Sequence, residues 1–337
     1  ILSWNRATEL DVLLGGKTLI RHSSKTTAAQ WKDAQEIVVA AAGNQTQKIV
    51  PLLEGTYLIK FEDDGGRQSP APGSNDSDWN NTRVTTNLPA PTERLVVGSV
   101  DEHTANFTGS KTNTIYDASL DALKLTVSSN ATSTSGEYTF ANSVDLTQSY
   151  DVNLRKTLTA SNFILNSLWD DRTDLIDTWG YIDAVGGLTE ATACNAAVYV
   201  RSTDDNPSGS PTWSAYKEFS NVLITGRAFQ FKAILTSNDT NQNIAVSHLG
   251  ATLELQGRTE SISTPVTTGS SQYTVSFTNP FKQTPTVVVT PTTQQTGDFF
   301  ELANISRTGF QVTFKNGSSA VARSFVWAAS GFGKEVS

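Results

Sequence analysis

The chain has one cysteine, no methionine, and fewer basic than acidic residues. A lone Cys194 excludes an intrachain disulfide framework and a thiolate zinc site alike. Within Ala191-Thr-Ala-Cys-Asn-Ala-Ala it reads as a small buried hydrophobe. With 25 Lys and Arg against 33 Asp and Glu, the net charge is −8. That balance provides no basic face to displace counterions from nucleic acid. Apolar runs are short; Ile37-Val-Val-Ala-Ala-Ala is among the longest. It falls well below the roughly 18 residues that a helix needs to cross a bilayer, so the expectation is a protein that does not span a membrane. The sequence starts Ile-Leu-Ser-Trp, without an initiator or the basic and apolar regions of a leader. The expected reading is a piece of a longer polypeptide.

What is present is strand signal. Thr, Val, Ser and aromatic residues alternate over short stretches such as Thr18-Leu-Ile-Arg-His, Thr56-Tyr-Leu-Ile-Lys-Phe, Phe229-Gln-Phe-Lys-Ala-Ile-Leu and Thr286-Val-Val-Val-Thr. Turn clusters interrupt them about every ten residues. Helical periodicity is nearly absent, with short turns expected near Ala28–Glu36 and Asp170–Trp179. Many short strands with turn residues between them predict an all-β chain of tandem β-sandwiches. At 337 residues it is too long for one ordinary sandwich. The polar loop from Gln68, the Asn87-Leu-Pro-Ala-Pro linker and the Thr/Ser-rich stretch Gly257–Pro265 divide it into units at 1–87, 88–257 and 258–337.

No catalytic constellation emerges. Gly-x-Ser-x-Gly is missing, and His22, His103 and His248 are far apart, with no pair at metal-ligand spacing. The densest acidic cluster, Asp170, Asp171, Asp174, Asp177 and Asp183, is interleaved with Trp169, Trp179 and Tyr181. Paired carboxylates beside aromatics suit glycoside hydrolysis, but sequence spacing cannot give the separation of about 5 to 9.5 Å that it needs. The plainer reading is a loop whose aspartates cap backbone N–H groups while its aromatics fill a core. The loop also lacks the oxygen-ligand spacing of an EF-hand. No catalytic residue, metal ligand or cofactor is therefore assigned. Exposed aromatic rings remain as platforms on which sugars stack. The candidates are Phe299, Phe300 and Trp327. Alternation places Trp327 on the same face as Phe325, which favours core packing, and at most one of the adjacent Phe299 and Phe300 can face inward.

Three segments carry resemblances to known families. Ile1-Leu-Ser-Trp-Asn, Thr18-Leu-Ile-Arg-His-Ser and Gly55-Thr-Tyr-Leu-Ile-Lys-Phe resemble the second, third and tyrosine-bearing strands of a fibronectin type III domain, which implies a first strand upstream of residue 1. The middle unit carries, in order, Gly136-Glu-Tyr-Thr-Phe, Leu168-Trp-Asp-Asp-Arg-Thr-Asp, Val198-Tyr-Val-Arg-Ser-Thr-Asp-Asp-Asn-Pro, Pro211-Thr-Trp-Ser-Ala-Tyr and Gly226-Arg-Ala-Phe-Gln-Phe. After a fibronectin-like segment, this set resembles the central tail-tip, or host-specificity, proteins of long-tailed bacteriophages, and the unit is expected to be a larger, jelly-roll-like sandwich. Phe281-Lys-Gln-Thr-Pro-Thr-Val-Val-Val, Gly309-Phe-Gln-Val-Thr-Phe and Ser324-Phe-Val-Trp-Ala-Ala-Ser-Gly-Phe-Gly resemble strands of the small H-type lectin sandwich, a sugar-binding family.

The resemblances imply a non-catalytic virion protein at the distal tip of a phage tail. Its implied partners are further copies of itself in a homotrimer, other tail proteins, and a bacterial surface receptor for which a glycan is a candidate. Two alternatives stand beside this one: an extracellular adhesin or carbohydrate-binding array, and a polysaccharide depolymerase using the Asp170–Asp177 cluster.

Overall fold

The computed structural model describes residues 1–69, 83–86, 94–165 and 193–336, and these form an all-β chain of antiparallel sheets. No helix among the described residues is long and apolar enough to cross a membrane.

The first unit contains β1 (Leu2–Ser3), β2 (Lys17–Ser23), β3 (Gln35–Glu36), β4 (Ala41–Ala42), β5 (Gln47–Lys48), β6 (Gly55–Glu62) and β7 (Arg83–Thr86). Strand β1 pairs with β5, while β3 and β4 join β2, which pairs with β6, and β6 in turn pairs with β7. Trp4, Ile20, Tyr57 and Ile59 from the two sheets share one apolar cluster. The Tyr57 hydroxyl accepts the Leu53 N–H at 2.8 Å and donates to the Pro51 carbonyl, which ties down the chain entering β6. Two short helical pieces interrupt the strands: α1 (Leu10–Gly15) and a single 3-10 turn at Trp31–Asp33.

The second unit holds β8 (Arg94–Asp101), β9 (Ser110–Thr112), β10 (Thr114–Asp117), β11 (Ala122–Leu125), β12 (Val127–Ser128), β13 (Ala131–Thr132) and β14 (Ser135–Thr139). They are followed by β15 (Val144–Ile164), β16 (Cys194–Thr203), β17 (Lys217–Glu218), β18 (Asn221–Ser237) and β19 (Gln242–Thr267). Three of these strands are far longer than a reading of turn clusters every ten residues expects. The reason lies in partner exchange. Strand β18 pairs with β15 over its first half, then with β14 and β16 over its second. A register shift between Asp145 and Tyr150, with Thr147 at φ 70°, lets β15 bend without ending. The turn-like Thr147-Gln-Ser is thus a bulge. Gly250 likewise does not break β19, because a Cβ there would stand 2.5 Å from the Val100 carbonyl oxygen of the paired β8. Inward-facing residues such as Tyr138, Tyr150, Val152, Phe229, Phe231 and Leu253 form the largest core.

The third unit comprises β20 (Tyr273–Ser276), β21 (Thr286–Pro291), β22 (Asp298–Ser306), β23 (Gly309–Asn316), β24 (Ser319–Ala320) and β25 (Ser324–Phe332). One sheet has the order β20-β23-β22; the other places β25 between β21 and the end of β19. Their inner faces enclose Phe281, Phe310, Val312, Phe314, Phe325 and Trp327. The polar stretch 257–265 is strand throughout, so β19 contributes to the core of the second unit and then to a sheet of the third.

The units are also joined by side chains and the chain end. Ala196 N–H donates to Gln35 Oε1 at 2.8 Å, and Glu36 N–H donates to Asn195 Oδ1 at 2.9 Å, linking the first unit to β16. From the third unit, Lys282 Nζ donates to the Leu146 carbonyl at 2.8 Å and Val336 N–H to the Ser149 carbonyl at 2.9 Å.

Candidate functional site

The three aromatic candidates occupy different environments. Trp327 on β25 is 6% exposed, its ring centroid 5.6 Å from that of Phe277 and 5.7 Å from that of Phe310. Its partner by alternation, Phe325, is fully buried. The Trp327 ring is therefore core and offers no stacking face. Phe300 on β22 packs onto the same core, 5.6 Å from Phe314. Phe299 points the other way and is 43% exposed. Of the three, Phe299 alone presents a ring to solvent.

The surroundings of Phe299 are rigidly built. Asp298, immediately before it, accepts the Gln295 N–H at 2.6 Å and the Asn316 side-chain N–H at 2.9 Å, and it pairs with the Arg323 guanidinium. That guanidinium holds the Asp298 carboxyl far below the usual carboxylate range; burial opposes the shift, and the Asn316 and Gln295 donors reinforce it. Gly297 at φ +86° closes the loop into β22 in a conformation that favours glycine. Across the strand pair, Phe299 lies opposite Lys315, which forms a 2.7 Å ion pair with Glu301. An apolar ring with charged groups beside it matches the apolar face and hydroxylated rim of a sugar.

The Asp170–Asp183 cluster and its aromatics lie outside the described residues. Among the described residues, no group of three His, Cys, Asp or Glu side chains is placed to hold a metal ion. The histidines are less scattered than their spacing suggests. The His103 and His248 rings stack with centroids 4.7 Å apart, and His103 Nε2 lies 3.0 Å from Asp121. Asp121 also accepts the Tyr116 hydroxyl at 2.8 Å, which, with His103, lowers its pKa. Cys194 is fully buried and its Sγ donates to the Ser237 hydroxyl, while burial raises the thiol pKa.

Sequence reasoning missed a cleft of about 190 Å³ between the first and second units. His22, Gln35 and Leu53 line it from the first unit, Lys156 and Ser220 from the second. His22 Nε2 donates to the Glu54 carbonyl at 3.0 Å and the ring packs on Tyr57 at 4.9 Å. Burial lowers the His22 pKa to about 4, against the raising effect of the Glu54 bond, and the nearby Lys156 charge adds to the fall. No local motif marks this cleft, because its walls, residues 22–54 and 155–221, lie at least 101 residues apart in sequence.

No protein-family model matches the chain, and no curated protein matches it significantly in sequence.

Proposed function

We propose that this chain is a non-catalytic structural segment of a bacteriophage tail tip, assembled as a homotrimer and carrying a receptor-binding surface on its third unit. The observation that carries the reading is mechanical. Strand β19 runs unbroken from the core of the second unit into the third, and the chain end returns to bond Ser149. Such a joint resists bending between units and suits a protein that transmits force from a surface contact. It sits beside the ordered sequence resemblance of the middle unit to tail-tip proteins.

Local features support the finer parts. The pairing of β1 with β5, the second sheet through β2 and β6, and the Tyr57 hydroxyl bonded back to the loop before its strand are compatible with a fibronectin type III-like first unit. In the third unit, β21 is an edge strand among the described residues and exposes Val288 (58%), a surface suited to packing against a neighbouring copy. Phe299 belongs to the opposite sheet and remains available to a glycan or another envelope ligand.

The test is light scattering of the purified protein together with binding to intact bacterial cells and isolated envelopes. A mass of three chains, with binding weakened by Phe299→Ala, supports the proposal. A strictly monomeric particle without affinity for any envelope contradicts it. Sugar release from those envelopes would favour the depolymerase reading instead, and a wall anchor in the full gene would favour the adhesin.

A further inference from the structure

Helix α1 leaves most of its apolar surface uncovered. Of Leu10, Val12, Leu13 and Leu14 only Val12 is buried, while Leu10 and Leu14 are 67% and 79% exposed. Four residues apart, these two leucines share one face of the helix. That face is firmly placed. Just past the helix the Gly43 N–H donates to the Gly16 carbonyl at 3.0 Å, and a Cβ on Gly15 would stand 2.8 Å from Asp64 Cβ, so the helix end rests on the turn after β6. A single exposed leucine is ordinary on a protein surface, but two on one fixed face form a contiguous apolar patch.

Carboxylates ring this patch. Leu10 and Leu14 line a wide, shallow hollow of about 600 Å³ together with Glu9, Asp11 and Asp64, and all three acids are exposed. Glu9 accepts the Thr8 N–H at 3.1 Å and Asp11 the Val12 N–H at 2.9 Å, which fixes both beside the helix without neutralising them. Among the described residues no ion pair reaches any of the three acids. Lys17, just beyond the helix, is taken by Glu62 at 2.8 Å. No aromatic ring is among the described residues lining the hollow, so they offer no stacking face to a sugar. The negative charge repels anionic lipid and nucleic acid.

We infer that this face of the first unit docks a segment of a partner protein in which apolar side chains are flanked by Lys or Arg. The apolar groups cover Leu10 and Leu14, and the basic ones pair with Glu9, Asp11 and Asp64. Charge complementarity selects this partner, since a cationic segment gains from three unpaired carboxylates and an acidic one is repelled. The open hollow receives side chains from a segment lying across it, whereas a small molecule would stay largely exposed there. The surface is complete within one chain and needs neither the tail-tip reading nor a trimer.

The experiment selects a random library of short displayed peptides on the intact chain, then titrates the enriched peptides by fluorescence anisotropy against the wild type and two variants. Enriched peptides that combine Lys or Arg with apolar residues are expected. Their affinity should fall about tenfold or more in the double variant Leu10→Ser, Leu14→Ser, which removes the apolar patch. Asp64→Asn should weaken them about two- to fivefold, and higher ionic strength should act in the same direction. Both leucines are exposed, so the double variant should fold, and thermal unfolding checks that it does. Peptides that bind the folded double variant as tightly as the wild type, or that lack basic residues, overturn the inference, as does a library that yields no peptide dependent on these leucines. Self-association of the wild type that the double variant abolishes assigns the face to a second copy and likewise overturns it.

Discussion

The Ser161 hydroxyl on β15 donates a 2.9 Å hydrogen bond to the buried Asp33 carboxylate of the first unit. The same carboxylate pairs with Lys25 and accepts the Gln30 N–H, which closes the Trp31–Asp33 turn. One side chain thus fixes a turn and a contact between units. Asp33→Ala should cost about 2–4 kcal/mol, since several partners lose their acceptor together. Ser161→Ala should cost about 1 kcal/mol, because Asp33 keeps its other partners. Urea unfolding measures both; equal losses would refute the assigned hierarchy.

The Tyr57 hydroxyl spends both its donor and its acceptor capacity on the backbone just ahead of β6. Tyr57→Phe keeps the ring in the core and removes only those two bonds. A loss of about 1–2 kcal/mol is expected in chemical denaturation. No measurable change would mean that the loop does not rely on the hydroxyl.

His22 sets an acid limit on stability. Its folded pKa of about 4 lies below the ~6.5 of an unfolded histidine, so the unfolded chain binds more protons between these values. The His22 contribution is complete above about pH 6.5 and is lost as pH falls toward 4. Full burial would make it about 3 kcal/mol; partial exposure of the ring reduces that to ~1–2 kcal/mol. Lys156, Glu54, Asp33 and Arg155 line the same cleft, so the comparison must be made against a variant at this one position. His22→Gln should flatten the slope of unfolding free energy between pH 4 and 6.5. An unchanged slope would contradict the assignment.

Phe299 and Trp327 should separate binding from folding. Trp327→Ala removes a ring packed against Phe277 and Phe310 and should cost about 3–5 kcal/mol. Phe299→Ala should change stability by less than about 1 kcal/mol, because its ring is largely outside the core. Thermal unfolding read beside envelope binding distinguishes the two roles. A large destabilisation by Phe299→Ala would place that ring in the core after all.

The β character was legible because strand side chains alternate with period two, and the same rule oriented Phe325 with Trp327 inward and separated Phe300 from Phe299. Strand length was not legible. Thr147 and Gly250 look like punctuation in one dimension, yet one forms a bulge and the other permits close backbone approach inside continuous strands. Helix α1 escaped notice because Leu10–Gly15 is too short to display a helical period, and Leu10 and Leu14 are exposed. The stacking of His103 on His248 and the shared cleft of the first and second units come from long-range pairing, which leaves no local trace. The burial of Cys194 did leave one, in its run of small neighbours.

The most direct measurement is a reconstruction of the intact assembly at side-chain resolution. The expected result is three copies around a common axis, with Val288 against a neighbouring copy and Phe299 facing outward. A single copy, or Phe299 covered by a neighbouring protein, would contradict the proposal.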